Sequence, residues 1–425
     1  MMNQRDARLP RLRTNIAAMG LVQISNYVIP LITLPYLTRV LGAESFGKVA
    51  FAQVVMTYFA LLVDYGFSWS ATRKVAAHRA DLAALSRIFS ATWAAQWVLV
   101  LVAALLASII VMATDRLRSD AVIYAAAFTT VVATALFPVW FLQGLERLQV
   151  VAMLQLVTRT VALIPIFLFV RQADDAALVL LIQGSAGMLA GILSLLWMRR
   201  QAIIAWHPPS LKEIGESFRE GGTLFGSRVA ISLYTTLIPL MLGWVAGPVA
   251  LAYFNLADKL RAAAQSLLTP LSQALFPRMS HLVGNDGESA YALIKRSALA
   301  VVALAGSSSI ALWVFSDGLV VLLGGVEFAP AAQVLRWLSP LPIVIGLSNV
   351  LGVQIMLPHG FNRAFNAILS SAAILSMMLI WPMTQHAGAT GAAQTMLMVE
   401  VWVTLTMAVL LWHQGYFSAK RWRNS

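Results

Sequence analysis

The chain predicts an all-α polytopic membrane protein with twelve transmembrane helices, and three observations carry that reading. Of its 425 residues, 59% are hydrophobic and only 11% charged. Apolar runs of spanning length recur from end to end, and the basic residues fall in every second connection between them. A soluble domain carries about 25% charged residues, so the composition and the mean hydropathy of +0.77 exclude an ordinary globule.

A spanning helix needs about 20 predominantly apolar residues. The first half meets this near 15–40, 46–70, 88–113, 121–145, 148–170 and 176–198. The second half meets it near 221–246, 248–275, 295–316, 331–357, 363–384 and 388–413. The first run is too long for a signal-peptide core and reads as a retained helix. The longest polar connection, 199–220, holds Pro208, Pro209, Lys212, Glu213 and Glu216. It divides the chain into a basic arm (1–14), an N-lobe (15–198), an inter-lobe linker (199–220), a C-lobe (221–413) and a basic tail (414–425).

An even helix count places both termini on one side. Arg5, Arg8, Arg11 and Arg13 precede the first helix, and Arg73, Lys74, Arg79 and Arg87 follow the second. Arg199, Arg200, Lys212 and Arg219 lie between the lobes, Arg278, Lys295, Arg296 and Arg363 lie in later loops, and Lys420, Arg421 and Arg423 close the chain. All of these share one face, which the positive-inside rule makes cytoplasmic. The opposite loops carry Lys48, Arg116, Arg118 and Arg171, partly offset by Asp115, Asp120, Asp174 and Asp175. Scattered in this way, the net charge of +12 does not call for nucleic acid. The absence of cysteine excludes disulfides and thiolate metal sites.

The polar residues within the spans are the functional lead. A charge at mid-membrane costs roughly 2.5 to 3.5 kcal/mol on insertion scales, so it faces a partner or a wet path. Arg159, Arg228, Asp258, Lys259, Arg261, Asp64 and Glu400 are such residues. The first helix carries Gln23, Asn26, Pro30 and Thr33 on one face, and the second carries Gln53, Thr57, Asp64 and Ser68. The seventh carries Arg228, Ser232, Thr235 and Pro239, and the eighth has a continuous stripe from Asn255 through Asp258, Lys259 and Gln265 to Ser272. Four such faces can converge on one cation-rich cavity. The plainer reading of single hydroxyls and amides is interhelical hydrogen bonding. Asp258 and Arg261 are spaced to pair at i, i+3, which leaves Lys259, on another face, its charge. Arg159 and Glu400 are also able to pair with each other. The expected binding set is Arg228, Lys259, Arg261, Arg159, Asn26 and Gln53, with Asp258, Asp64 and Glu400 as coupling acids.

The two halves align weakly as a parallel repeat. Pro30 matches Pro239, Gly42 matches Gly247, and Gln53 then falls opposite Asp258. Prolines inside the first, seventh, eighth and tenth helices favour kinks. Trp69, Trp93, Trp140, Trp197, Trp244, Trp313 and Trp412 are placed near helix ends, as in an interfacial belt.

Two patterns mislead. Gly42–Val49 nearly matches a P-loop, but its last position is Val49 where Mg²⁺ needs a hydroxyl, and no strand precedes it. The six histidines, at 78, 207, 281, 359, 386 and 413, lack metal-ligand spacing and fall in loops or at a helix end.

The first 90 residues resemble the polysaccharide transporter family, the flippases of lipid-linked oligosaccharides such as O-antigen units. The resemblance rests on Asn26-Tyr27, Pro30-Leu31-Ile32-Thr33-Leu34-Pro35-Tyr36-Leu37, Arg39, Leu41-Gly42, Phe46-Gly47 and Phe51-Ala52-Gln53. Asp64-Tyr65-Gly66-Phe67 and Ala71-Thr72-Arg73 extend it, and Tyr253, Ala257-Asp258-Lys259 and Pro277 continue it thinly in the second half. The resemblance implies two six-helix lobes around a central cationic cavity that opens alternately to each side, lined mainly by helices 1, 2, 7 and 8. It implies an undecaprenyl-pyrophosphate-linked oligosaccharide as substrate, flipped outward across the bacterial inner membrane for O-antigen or other surface polysaccharide. Further partners would be membrane lipid, a polysaccharide polymerase and a chain-length regulator. No cofactor, metal, catalytic group or enzymatic activity is expected, and transport would draw on a proton or sodium gradient. The competing readings are a drug or metabolite exporter of the same architecture, which would favour cavity acids, and a membrane glycan polymerase or ligase. The latter would need a large reactive external loop, and these loops are short.

Overall fold

The computed structural model describes residues 9–205, 207–266 and 287–417, with 268, 279 and 282. Side chains within 9–28, and at 227, 228, 230, 231 and 233–235, fall outside that description. Among the described residues all regular structure is helical.

The helices are α1 (Leu9–Asp64), α2 (Phe67–Ala77), α3 (Leu82–Ala113), α4 (Asp115–Arg118) and α5 (Ala121–Leu136). Then come α6 (Val139–Gly144), α7 (Leu148–Phe169), α8 (Ala176–Arg200), α9 (Leu211–Val245) and α10 (Gly247–Ser266). The remainder are α11 (Gly287–Val314), α12 (Ser316–Gly324), α13 (Ala331–Leu338), α14 (Leu341–Asn349) and α15 (Asn362–His413). Two runs are hairpins rather than single rods, since α1 breaks at Gly42 (φ 69°) and α15 at Gly388 (φ 53°). Among the described residues eight spans are long and apolar enough to cross a membrane; the two breaks make them ten, and α9 and α10 stand where the seventh and eighth helices are expected. The expected repeat has a local counterpart: aligned Gly42 and Gly247 both take positive φ, 69° and 91°, immediately before the second helix of their halves. That backbone region penalises any residue with a Cβ.

The chain forms two compact units, Met1–Leu41 with Lys48–Leu233 and Gly42–Gly47 with Tyr234–Ser425. These bounds differ from the expected lobes in two places, each with a local cause. The Gly42–Gly47 turn joins the second unit because the Ala43 amide donates to Glu327 Oε1 at 2.9 Å and Phe46 packs on Phe328. The expected linker is largely helix, since α9 begins at Leu211 rather than 221. Its early turns belong to the first unit: Lys74 pairs with Glu220 at 2.7 Å, and Tyr65 stacks on Phe225 with ring centroids 4.8 Å apart.

The first unit shows the inside-out pattern of membrane proteins. In α3, Ala95, Ala103 and Ala107 are buried while Leu101, Leu105 and Ile109 are exposed at helical spacing. In α7, Met153, Val157, Val161 and Ile164 are exposed in the same way. Such stripes belong against acyl chains, where helices satisfy their own backbone polar groups.

In the first unit, α8 lies unusually close to α5. A Cβ on Gly184 would stand 1.8 Å from Thr129 Oγ1, one on Gly187 2.9 Å from the Ala133 Cβ, and one on Gly191 2.8 Å from the Leu136 carbonyl. Small residues of this kind let membrane helices approach where no hydrophobic effect drives them together.

Candidate functional site

The expected site residues fall into two groups, one in each unit. In the first unit a cavity of about 390 Å³ receives Asp64 from the end of α1, Ser68 from α2 and Arg159 from α7. Asp64 accepts a hydrogen bond from the Ser68 hydroxyl at 3.0 Å, the i, i+4 contact the polar stripe anticipates. Gln53 does not line it but donates through Nε2 to Oε1 of Gln183, which does, at 2.8 Å.

The cavity also draws on helices that carry no polar stripe. Gln96 of α3, Gln143 of α6, Gln155 of α7 and Gln183 of α8 line it, with Thr130 and Thr134 of α5 and Thr158 of α7. Sequence reasoning missed Gln96, Gln143 and Gln183 because each stands alone in its span and periodicity detects rows rather than single residues, whereas Gln155 forms an i, i+3, i+4 row with Thr158 and Arg159 that was legible and overlooked. The available signal was the cost of an amide within an apolar helix.

Trp140 also lines this cavity, which corrects its expected place in an interfacial belt. It is only 3% exposed, and its indole N–H donates to Gln96 Oε1 at 3.1 Å. The physical cause is the break at Phe137 and Pro138, after which the short α6 turns the ring inward between Phe89 and Phe141. Trp69, Trp244, Trp313 and Trp412 remain exposed, as a belt requires.

In the second unit, α10 presents the charged group. Arg261 Nε donates to Asp258 Oδ1 at 2.7 Å, with the guanidinium side chain 10% exposed and the carboxylate 34%. The i, i+3 spacing on one helix brings this pair together, as the sequence anticipates. Lys259 points elsewhere, its ammonium 5.3 Å from the centroid of the Phe46 ring. It makes no ion pair among the described residues. A ring face attracts a cation by about 0.5–2 kcal/mol, so Phe46 holds the charge without neutralising it. Asn255 Oδ1 and Gln265 Oε1 on α10 are buried and lack a hydrogen-bond partner among the described residues.

Glu400 lies within α15, where its backbone carbonyl accepts from the Thr404 hydroxyl at 2.8 Å. Arg228 and Asn26 lie on α9 and α1, but their side chains are outside the described residues, as are those of Gln23 and Thr235. Thr269, Ser272 and Pro277, cited above from the eighth span and the resemblance, are outside them too, as is His281. His386, expected in a loop, sits inside α15 because the turn of that hairpin is confined to Gly388. At the P-loop-like turn, the Ala43 amide that a phosphate would need is taken by the Glu327 carboxylate, and a helix N-terminus so capped has its dipole answered by protein.

A membrane protein that is all-helical among the described residues, divides into two units and encloses a polar cavity in the first is built as a transporter. Its fold matches an inward-facing multidrug resistance MATE family transporter of the MOP superfamily, with a TM-score of 0.70 at 14% identity over 97% of this chain and 99% of that one. A family model described as polysaccharide biosynthesis protein matches residues 12–283. A putative O-antigen transporter of Escherichia coli (strain K12) is 35% identical over 94% of this chain and 96% of its own length. A second putative O-antigen transporter, from Shigella dysenteriae, is 30% identical over 93% and 99% respectively. The chain belongs to the polysaccharide biosynthesis protein family.

Proposed function

We propose that the protein is a flippase that moves undecaprenyl-pyrophosphate-linked oligosaccharide units from the cytoplasmic to the periplasmic leaflet of a bacterial inner membrane. The observation that carries the reading is Lys259, a cation within a membrane helix that lies 5.3 Å from the Phe46 ring and forms no ion pair among the described residues. A sugar pyrophosphate cannot enter hydrocarbon unaided. Charge-assisted hydrogen bonds from Lys259, and from Arg228 on the aligned stripe of α9, would replace its hydration, while the polyprenyl tail stays in lipid. No bond is made or broken, so the protein needs only alternate exposure of the site.

Directionality requires a group that responds to an ion gradient. Asp258 takes that role in this reading. Substrate anion near Lys259 would compete with Asp258 for the local cations and free its carboxylate for a proton or sodium ion. The same arrangement argues against an exporter of cationic drugs, for which a cavity rich in acids would be needed.

The test is neutralisation. Lys259→Gln and Arg228→Gln, each inserted at wild-type abundance, should lower surface glycan at least tenfold and leave lipid-linked glycan on the cytoplasmic leaflet. Full export by both variants would remove these residues from the mechanism. Arg228→Lys should restore export only if charge alone suffices, since a forked contact to pyrophosphate needs the guanidinium.

A further inference from the structure

From the first-unit cavity, we infer that it is a saccharide-recognition subsite for the glycan of the lipid-linked substrate. This deepens the flippase reading and rests on it.

The chemistry of the walls selects the ligand class. Four glutamines and three threonines line a space whose charged side chains are one acid, Asp64, and one base, Arg159. An amide offers a donor and an acceptor side by side, which suits vicinal hydroxyls and acetamido groups. A lipophilic cation would want acids and apolar walls, and a free anion would want more than one base. The volume, about 390 Å³, is within the range of small-ligand pockets, roughly 300–1,000 Å³.

The amides are also held for use. Gln183 has its carbonyl engaged by Gln53 at 2.8 Å, which turns its amino group away from that bond. Gln96 is fixed by the Trp140 indole, so one face of the cavity is rigid. Gln155, half-buried in α7, makes no side-chain hydrogen bond among the described residues and lines the cavity, as does the exposed Gln143. Polar groups kept within a membrane helix without protein partners are costly, and a ligand hydroxyl supplies what they lack. The glycine stripe of α8 contributes by seating that helix on α5, bringing Gln183 to the wall.

The experiment uses the purified full chain and three synthetic probes, farnesyl pyrophosphate and its N-acetylglucosamine and galactose conjugates. Wild type should bind at least one conjugate tenfold or more tightly than the sugarless probe. Gln155→Leu and Gln183→Leu should erase that increment and change sugarless binding less than twofold, which also reports intact folding. Lys259→Gln should weaken all three probes together. If a leucine variant binds none of them, the asparagine replacement at that position decides. Loss of the increment with sugarless binding retained supports the subsite, and an unchanged increment overturns it. Equal binding of all probes by wild type also overturns the subsite while leaving the flippase reading intact. Failure of wild type to bind any probe sinks both.

Discussion

Asp258 and Arg261 are one helical turn apart, and their 2.7 Å contact is what separates a coupling role from a structural one. A hydrogen bond to a charged partner contributes about 1.5–3 kcal/mol, so Arg261→Gln should destabilise the protein whichever role holds. Asp258→Asn distinguishes the two. In proteoliposomes the coupling role predicts substrate binding within a fewfold of wild type and loss of the response to an imposed proton or sodium gradient. A retained gradient response with lowered thermal stability would make Asp258 purely structural. Beside this pair, Phe46→Leu keeps most of the apolar volume against Phe328 but removes the ring face from Lys259. It should lower transport by less than Lys259→Gln does, because only the placement of the charge is lost.

At the scale of elements, the contact of α5 with α8 is set by side chains that are missing. A leucine at Gly184 must displace Thr129, whose Oγ1 would lie 1.8 Å from the new Cβ. Overpacking of this kind costs about 1–3 kcal/mol, and Gly184→Leu should lower the unfolding temperature and impair transport. The equivalent change at Gly215, which meets nothing within 4 Å, should be silent by both measures. The start of α9 offers a pH-dependent contrast. Ser210 donates through its amide to Glu213 Oε2 at 2.7 Å and through its hydroxyl at 2.9 Å, while the Glu213 amide returns a bond to that hydroxyl at 3.3 Å. The two bonds from Ser210 hold the Glu213 carboxyl below its ordinary value. Such a depressed group contributes stability above the unfolded carboxylate value, about 4.3. The contribution is lost as pH falls through the lower folded value. Protection of the amides across 211–216, taken relative to the intrinsic exchange rate at each pH, should therefore fall below about pH 4 in wild type. Glu213→Gln should show lower protection at neutral pH and little further loss on acidification.

For the whole molecule, the testable property is orientation. The basic loops predict that the N-terminus, residues 199–220 and the C-terminus lie in the cytoplasm, and residues 115–120 and 171–175 outside. Reporter fusions at these five places should alternate accordingly, and a periplasmic C-terminus would overturn the twelve-helix topology. The observed helices agree with that count once Gly42 and Gly388 are taken as the turns of hairpins. Both turns fall in or beside the gaps that hydropathy leaves, 41–45 and 385–387, although a one-residue break gives each gap little polar interruption.

The sequence by itself determined the fold class, the approximate spans, the expected sidedness, the i, i+3 pair of Asp258 with Arg261 and the separate direction of Lys259. All of these follow from composition and helical periodicity, which act within one helix and its immediate neighbours. Tertiary structure decided what depends on distant segments meeting. It assigned Gly42–Gly47 to the second unit through Glu327, 284 residues away in sequence from Ala43. It turned Trp140 inward after the Pro138 break, and it gathered the lone glutamines of α3, α6 and α8 with the Gln155 row of α7 around one cavity. A single amide has no period, so only the packing that the α8 glycines permit could reveal that these four share a space.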